Sequence, residues 1–174
     1  MNLRQQAASK EGLLLLICFL VIGAYLSGLS GPFLFDDIPT LVANPRFPID
    51  GTRFDEWRTA ALSSDSGVFL RPLSMFSFAL NHVLAGGFSP LAFKSANLLI
   101  HILSCLVVFR LSLAIARAIA FTCPRSLAVD PHKLAFVAML IWGLHPLHVS
   151  TVLYAVQRMA QLSTLFMLIG LLFY

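Results

Sequence analysis

The sequence predicts an all-α membrane protein, on three observations. Of 174 residues, 58% are hydrophobic and only 11% are charged, against ~25% charged in soluble domains. A mean hydropathy of +0.84 is more apolar surface than so short a chain can turn inward as a soluble core. The apolar residues also gather into long runs. The first of these, residues 12–35, carries no formal charge and at ~1.5 Å per residue can cross a hydrocarbon core of ~30 Å. The net charge of +4 is modest, and no basic run interleaves with aromatics, so the expected partner is a lipid bilayer and not nucleic acid.

One membrane domain, 1–174, accounts for the whole chain, with about four transmembrane helices and additional helices at the outer face. The first span covers residues 12–29. Arg4 and Lys10 precede it as in a signal peptide, but the apolar core is long and no clear small-x-small cleavage site follows, so a retained helix is expected. The second span covers 95–116 and the third 134–149. The fourth runs over 159–174, short of the ~20 residues a spanning helix needs, and is read as the opening of further helices in a larger bundle. Cys18 and Cys105 lie inside apolar runs and Cys123 in a basic loop, with no metal-ligand spacing and no disulfide framework.

Orientation follows from the cations. Arg4 and Lys10 flank the first span, and Arg110, Arg117, Arg125 and Lys133 surround the connection between the second and third. The positive-inside rule puts both groups in the cytoplasm, with the N-terminus. The long loop 30–94 then faces a periplasm or lumen, and a bacterial inner membrane is the expected setting. That loop holds six of the eight acidic residues. It predicts a helix over 53–62, opened by Thr52 with early acids, and another over 72–84, with Pro72 at its first turn and Gly86-Gly87 at its end. Met75, Phe76, Ala79, Leu80, Val83 and Leu84 cluster on one side of the second helix. It either lies in the headgroup boundary or packs over the bundle as a lid.

Six polar residues converge on the outer interface by topology. Asp36 and Asp37 follow the first span, where paired carboxylates can hold a divalent cation (Mg or Mn), take a proton, or repel so that one stays protonated. Arg71 stands before the second loop helix. His145 and His148, three apart at a helix end broken by Pro146, can bind a metal or donate hydrogen bonds to a phosphate. Arg158 opens the fourth span, where a cation at depth needs either a carboxylate or an anionic phosphate. Asn97 and His101, one turn apart, form a polar stripe suited to interhelical hydrogen bonding.

These motifs, in order, give the chain a family resemblance. Phe35-Asp36-Asp37 with Asn44-Pro45, Arg71-Pro72-Leu73-Ser74, the Asn97-to-His101 stripe, and above all His145-Pro146-Leu147-His148-Val149 running into Tyr154-Ala155-Val156-Gln157-Arg158-Met159 carry it. The chain resembles GT-C class membrane glycosyltransferases, in particular the N-terminal membrane part of transmembrane/tetratricopeptide-repeat O-mannosyltransferase-like proteins. The resemblance implies inverting sugar transfer from a polyprenyl-phosphate donor to an acceptor on the periplasmic or lumenal face. It assigns Asp36 or Asp37 as base or metal ligand, and Arg71, His145, His148 and Arg158 to the donor phosphate. Where the family often carries an acid after the His-Pro pair, Ser150 and Thr151 stand here. The alternative is a non-catalytic scaffold or accessory subunit that keeps the motifs as packing features.

Overall fold

The computed structural model describes residues 3–64, 71–122 and 129–174, and side chains from Lys10 onward. Cys123 and Arg125, and the side chain of Arg4, lie outside the described residues. Among those described, the chain forms α1 (Leu3–Leu29), α2 (Phe54–Ala61), α3 (Pro72–Ala85), α4 (Pro90–Thr122), α5 (Pro131–Leu144), α6 (His148–Leu153) and α7 (Arg158–Phe173). A π-helical turn, Ile38–Val42, and a 3₁₀ turn, Ala155–Gln157, complete the order. The protein is an all-helical integral membrane protein. Among the described residues, three stretches are long and apolar enough to cross a bilayer: Lys10–Leu29, Pro90–Thr122 and Ala155–Phe173.

The helix ends have local causes. α4 runs straight through Lys94, a charge that in sequence resembles a boundary. The Nζ of Lys94 donates to the carbonyls of Gly31 (2.9 Å) and Pro32 (3.0 Å), satisfying acceptors left beyond the end of α1. α5 starts on Asp130, whose carboxylate accepts the His132 N–H at 2.7 Å, an N-cap. It stops at Leu144, short of the expected 149, because Pro146 forces His145 into an extended conformation (ψ 127°), as a following proline does. α5 is therefore 14 residues, ~21 Å long, and the chain leaves the helix before a full crossing. α3 ends on Gly86 in a left-handed conformation (φ 67°), the Gly cap its sequence predicts.

Two packed regions hold the bundle. In the first, Val21 and Tyr25 of α1, Cys105 and Phe109 of α4, and Phe136 and Met139 of α5 interdigitate. Gly143 permits this approach, because a Cβ there would lie 2.7 Å from Val21 Cγ2 and 3.2 Å from Cys105 Sγ. The second lies under the loop helices, where Phe47, Met75, Phe78 and Phe93 are fully buried and the Phe78 and Phe93 rings stack at 6.2 Å. α3 thus packs as a lid on α4 and α7, while Leu73, Leu80 and Leu84 remain exposed on its other side. Alternation of α1, α4, α5 and α7 brings residues 30–64 and 71–89 to the same end of the bundle as the break at 145–157.

Candidate functional site: an acid–arginine cleft over a buried polar hub

The break before α7 is held by side chains from every neighbouring element. Asn97 of α4 donates to the carbonyls of Val152 (3.3 Å), Tyr154 (3.0 Å) and Ala155 (3.2 Å). These carbonyls have left the helical ladder and need such a partner at membrane depth. The Asn97 oxygen accepts from Arg158 Nε at 2.8 Å. The same guanidinium donates to the Ser77 carbonyl (3.0 Å), Asn81 Oδ1 (2.7 Å) and the Phe93 carbonyl (2.8 Å). It lies over the rings of Phe78 and Phe93, at 4.6 and 5.5 Å, a cation–π arrangement.

Arg158 is 1% exposed, and its partners are neutral oxygens and ring faces. Each guanidinium nitrogen already has a protein acceptor, which favours a structural role for Arg158 over the expected phosphate contact. The guanidinium is enclosed between α3, α4 and α7, where it ties three helices together. The sequence left a carboxylate or a phosphate as its partner; within the protein, the compensation is spread over four neutral acceptors.

Asp37 and Asp36 part company. Asp37 is fully buried and accepts backbone N–H groups from Val156 (2.7 Å), Leu34 (3.1 Å) and Ala155 (3.3 Å). Burial pushes its pKa above the usual carboxylate value, outweighing these three donors and the nearby Lys94 charge. It pins the end of the first span to the break before α7. Asp36 faces the other way and is exposed. Its backbone N–H donates to the Tyr154 hydroxyl at 2.7 Å. Of the alternatives open to the pair, Asp37 is committed to N–H donors, while the Asp36 side chain is exposed. Among the described residues no three His, Cys, Asp or Glu side chains gather as a metal-ligand group.

Asp36 lines a cleft of about 550 Å³ with Thr40, Arg71, Gln157 and Ser163, over a floor of Val156, Met159 and Ala160. The Arg71 Nη1 lies 3.1 Å from the Met159 sulfur, which leaves most of its donors for the cleft. Arg71 of the cleft (φ 42°) and Phe35, the residue before Asp36 (φ 44°), adopt left-handed backbone conformations without being glycine. Such strain collects where surrounding structure over-determines a functional geometry.

The histidines sit elsewhere. His145 and His148 line a separate, mostly apolar hollow of about 480 Å³ with Trp142, Ile141 and Val108. The His148 ring packs against Trp142 at 4.8 Å and His101 at 5.1 Å. Burial, then the neighbouring His101 and His145, lower its pKa. His145 and His148, expected at the donor phosphate, line this hollow and not the cleft that holds Asp36 and Arg71. His101 meets the Gly143 carbonyl at 3.0 Å, joining α4 to α5. In sequence Tyr154 and Gln157 stand out only within a motif, and no hydropathy pattern shows that Tyr154 contacts Asp36 or that Gln157 lines its cleft.

The comparisons with known proteins agree with the motifs. The human protein O-mannosyl-transferase TMTC4 is 32% identical over 151 residues, 83% of this chain and 20% of its own length. The Caenorhabditis elegans protein O-mannosyl-transferase F38B6.6 is 30% identical over 166 residues, 91% of this chain and 22% of its own. The Drosophila melanogaster protein O-mannosyl-transferase Tmtc3 is 31% identical over 172 residues, 92% of this chain and 18% of its own. No family model and no solved structure matches the chain. These relatives are animal proteins and give the expected bacterial inner membrane no support. The chain spans about a fifth of the length of the curated relatives it matches. Over most of its own length, it is a homologue of the TMTC protein O-mannosyl-transferases.

Proposed function

We propose that this chain carries the donor-side cleft of a membrane glycosyltransferase, which moves a sugar from a polyprenyl-phosphate carrier to a protein hydroxyl on the lumenal or periplasmic face. The observation that carries the reading is one polar cleft lined by both Asp36 and Arg71, in a chain homologous to O-mannosyl-transferases. Mannose is the sugar those relatives' names suggest. Positive-inside asymmetry supports a cytoplasmic N-terminus and an outward-facing cleft.

The chemistry needs two groups. The Asp36 carboxylate accepts the proton of the acceptor hydroxyl as its oxygen attacks the anomeric carbon. The bond from that carbon to the phosphate oxygen breaks, its electron pair stays on the phosphate, and the sugar is transferred with inversion. Arg71 offers a planar fork of N–H donors matched to the departing phosphate. No step is routed through a metal ion. The test is transfer from a polyprenyl-phosphate mannose by the protein in proteoliposomes. Arg71→Gln is expected to weaken carrier binding and transfer, with Lys restoring part of both. Unaltered carrier affinity in Arg71→Gln would remove the arginine from the site. The scaffold reading draws on Asp37, Asn97 and Arg158 being structural, and it predicts no transfer by the wild-type protein.

A further inference from the structure

We infer that Tyr154 is a positioning residue for Asp36, setting the carboxylate's place in the cleft without itself touching the reacting atoms. The inference rests on the proposed role of Asp36. The Asp36 backbone N–H donates to the Tyr154 hydroxyl at 2.7 Å across 118 residues of sequence. The Tyr154 ring meets Phe35 edge-on, with centroids 6.4 Å apart at 81°. Phe35, although exposed, is in a left-handed conformation (φ 44°) that a bulky residue rarely adopts. One tyrosine therefore contacts both residues of this turn, bonding Asp36 through its hydroxyl and touching Phe35 through its ring.

The grip is rigid on its own side. The Tyr154 carbonyl accepts from Asn97 at 3.0 Å, its N–H donates to the Ser150 carbonyl at 3.1 Å, and Asn97 is held by Arg158 at 2.8 Å. Asp37, the next residue after Asp36, is pinned to Ala155 and Val156. The Asp36 backbone is thus bracketed by contacts to residues 154–156. A general base must sit within hydrogen-bond reach of its proton, and a misplacement of ~1 Å can cost ~10²-fold in rate. The tyrosine fixes that placement by fixing the turn.

Two measurements test this on the full chain in proteoliposomes. The first compares transfer by Tyr154→Phe in the wild-type and Asp36→Glu backgrounds. The account expects kcat to fall about tenfold in the wild-type background, with donor KM and detergent melting temperature unchanged. It expects no further fall in the Asp36→Glu background, where the carboxylate is already displaced. A kcat within twofold of wild type, or an equal fall in both backgrounds, overturns the inference. The second needs no transferase activity: Asp36→Cys is labelled with a charged thiol reagent, with and without Tyr154→Phe. Labelling is expected to quicken several-fold once the turn is released, and an unchanged rate overturns the inference. Failure of the underlying reading is distinct, since full activity in Asp36→Asn removes Asp36 from the reaction whatever Tyr154 does.

Discussion

Replacing Arg158 by Gln should destabilise the protein whether or not a lipid carrier is present. The guanidinium serves four acceptors: Asn97 Oδ1, the Ser77 carbonyl, Asn81 Oδ1 and the Phe93 carbonyl. A glutamine reaches from the same Cα with two donors and a shorter stem, so two or more acceptors lose their partner in a site that is 1% exposed. Each buried acceptor left unpaired costs about 1–3 kcal/mol, and the lost contact with Phe78 and Phe93 adds about 1 kcal/mol. Removing a buried charge returns part of this. A net loss of about 3 kcal/mol follows, which for a chain of this size lowers the melting temperature by roughly 6–12 °C. Arg158→Lys should recover little, because one ammonium cannot reach all four acceptors on two helices. The assay is thermal unfolding in detergent, with and without polyprenyl phosphate. A variant that melts like wild type but binds the carrier weakly would refute the assignment of Arg158 to the hub.

Three further outcomes are expected. Asp37→Asn should lower the melting temperature by several degrees, because an amide cannot accept the Leu34, Ala155 and Val156 N–H groups as a carboxylate does; an unaltered melt would contradict its role. Stability should fall as pH drops below about 6.5, the ordinary value from which His148 is lowered. The unfolded chain then binds a proton that the folded His148 resists; His82 and His132 are lowered in the same direction, so His148→Gln should reduce the slope of that part of the profile without abolishing it. Cysteines placed at Thr59 and Val129, in a background lacking the native three, should label from opposite sides of the membrane; labelling from one side would overturn the topology.

The helical membrane class was legible because hydropathy and charge are summed over long windows. The ends of α3 were legible because Pro72 and Gly86 act locally. The reach of α4 was not, since Lys94 reads as a boundary until its ammonium is seen to serve the carbonyls of Gly31 and Pro32. Asp36 and Asp37 are equivalent in sequence. Only N–H groups contributed from residues 155 and 156 decide that one is buried and structural while the other faces a cleft. Arg158 was recognisable as a cation in need of compensation, but its partners come from α3 and α4, which no spacing rule connects to α7. His145 and His148 share an end of the bundle with Asp36, and topology alone could not tell a shared end from a shared pocket.

The most direct test of the account is sugar transfer by Asp36→Asn beside Asp37→Asn, with melting temperature measured on both. Asp36→Asn should keep the wild-type melting temperature and lose transfer by ~10²–10⁴-fold, the usual cost of removing a general base. Asp37→Asn should lose stability first and activity in proportion. Wild-type transfer by a folded Asp36→Asn protein would contradict the claim that the Asp36–Arg71 cleft is where the sugar is moved.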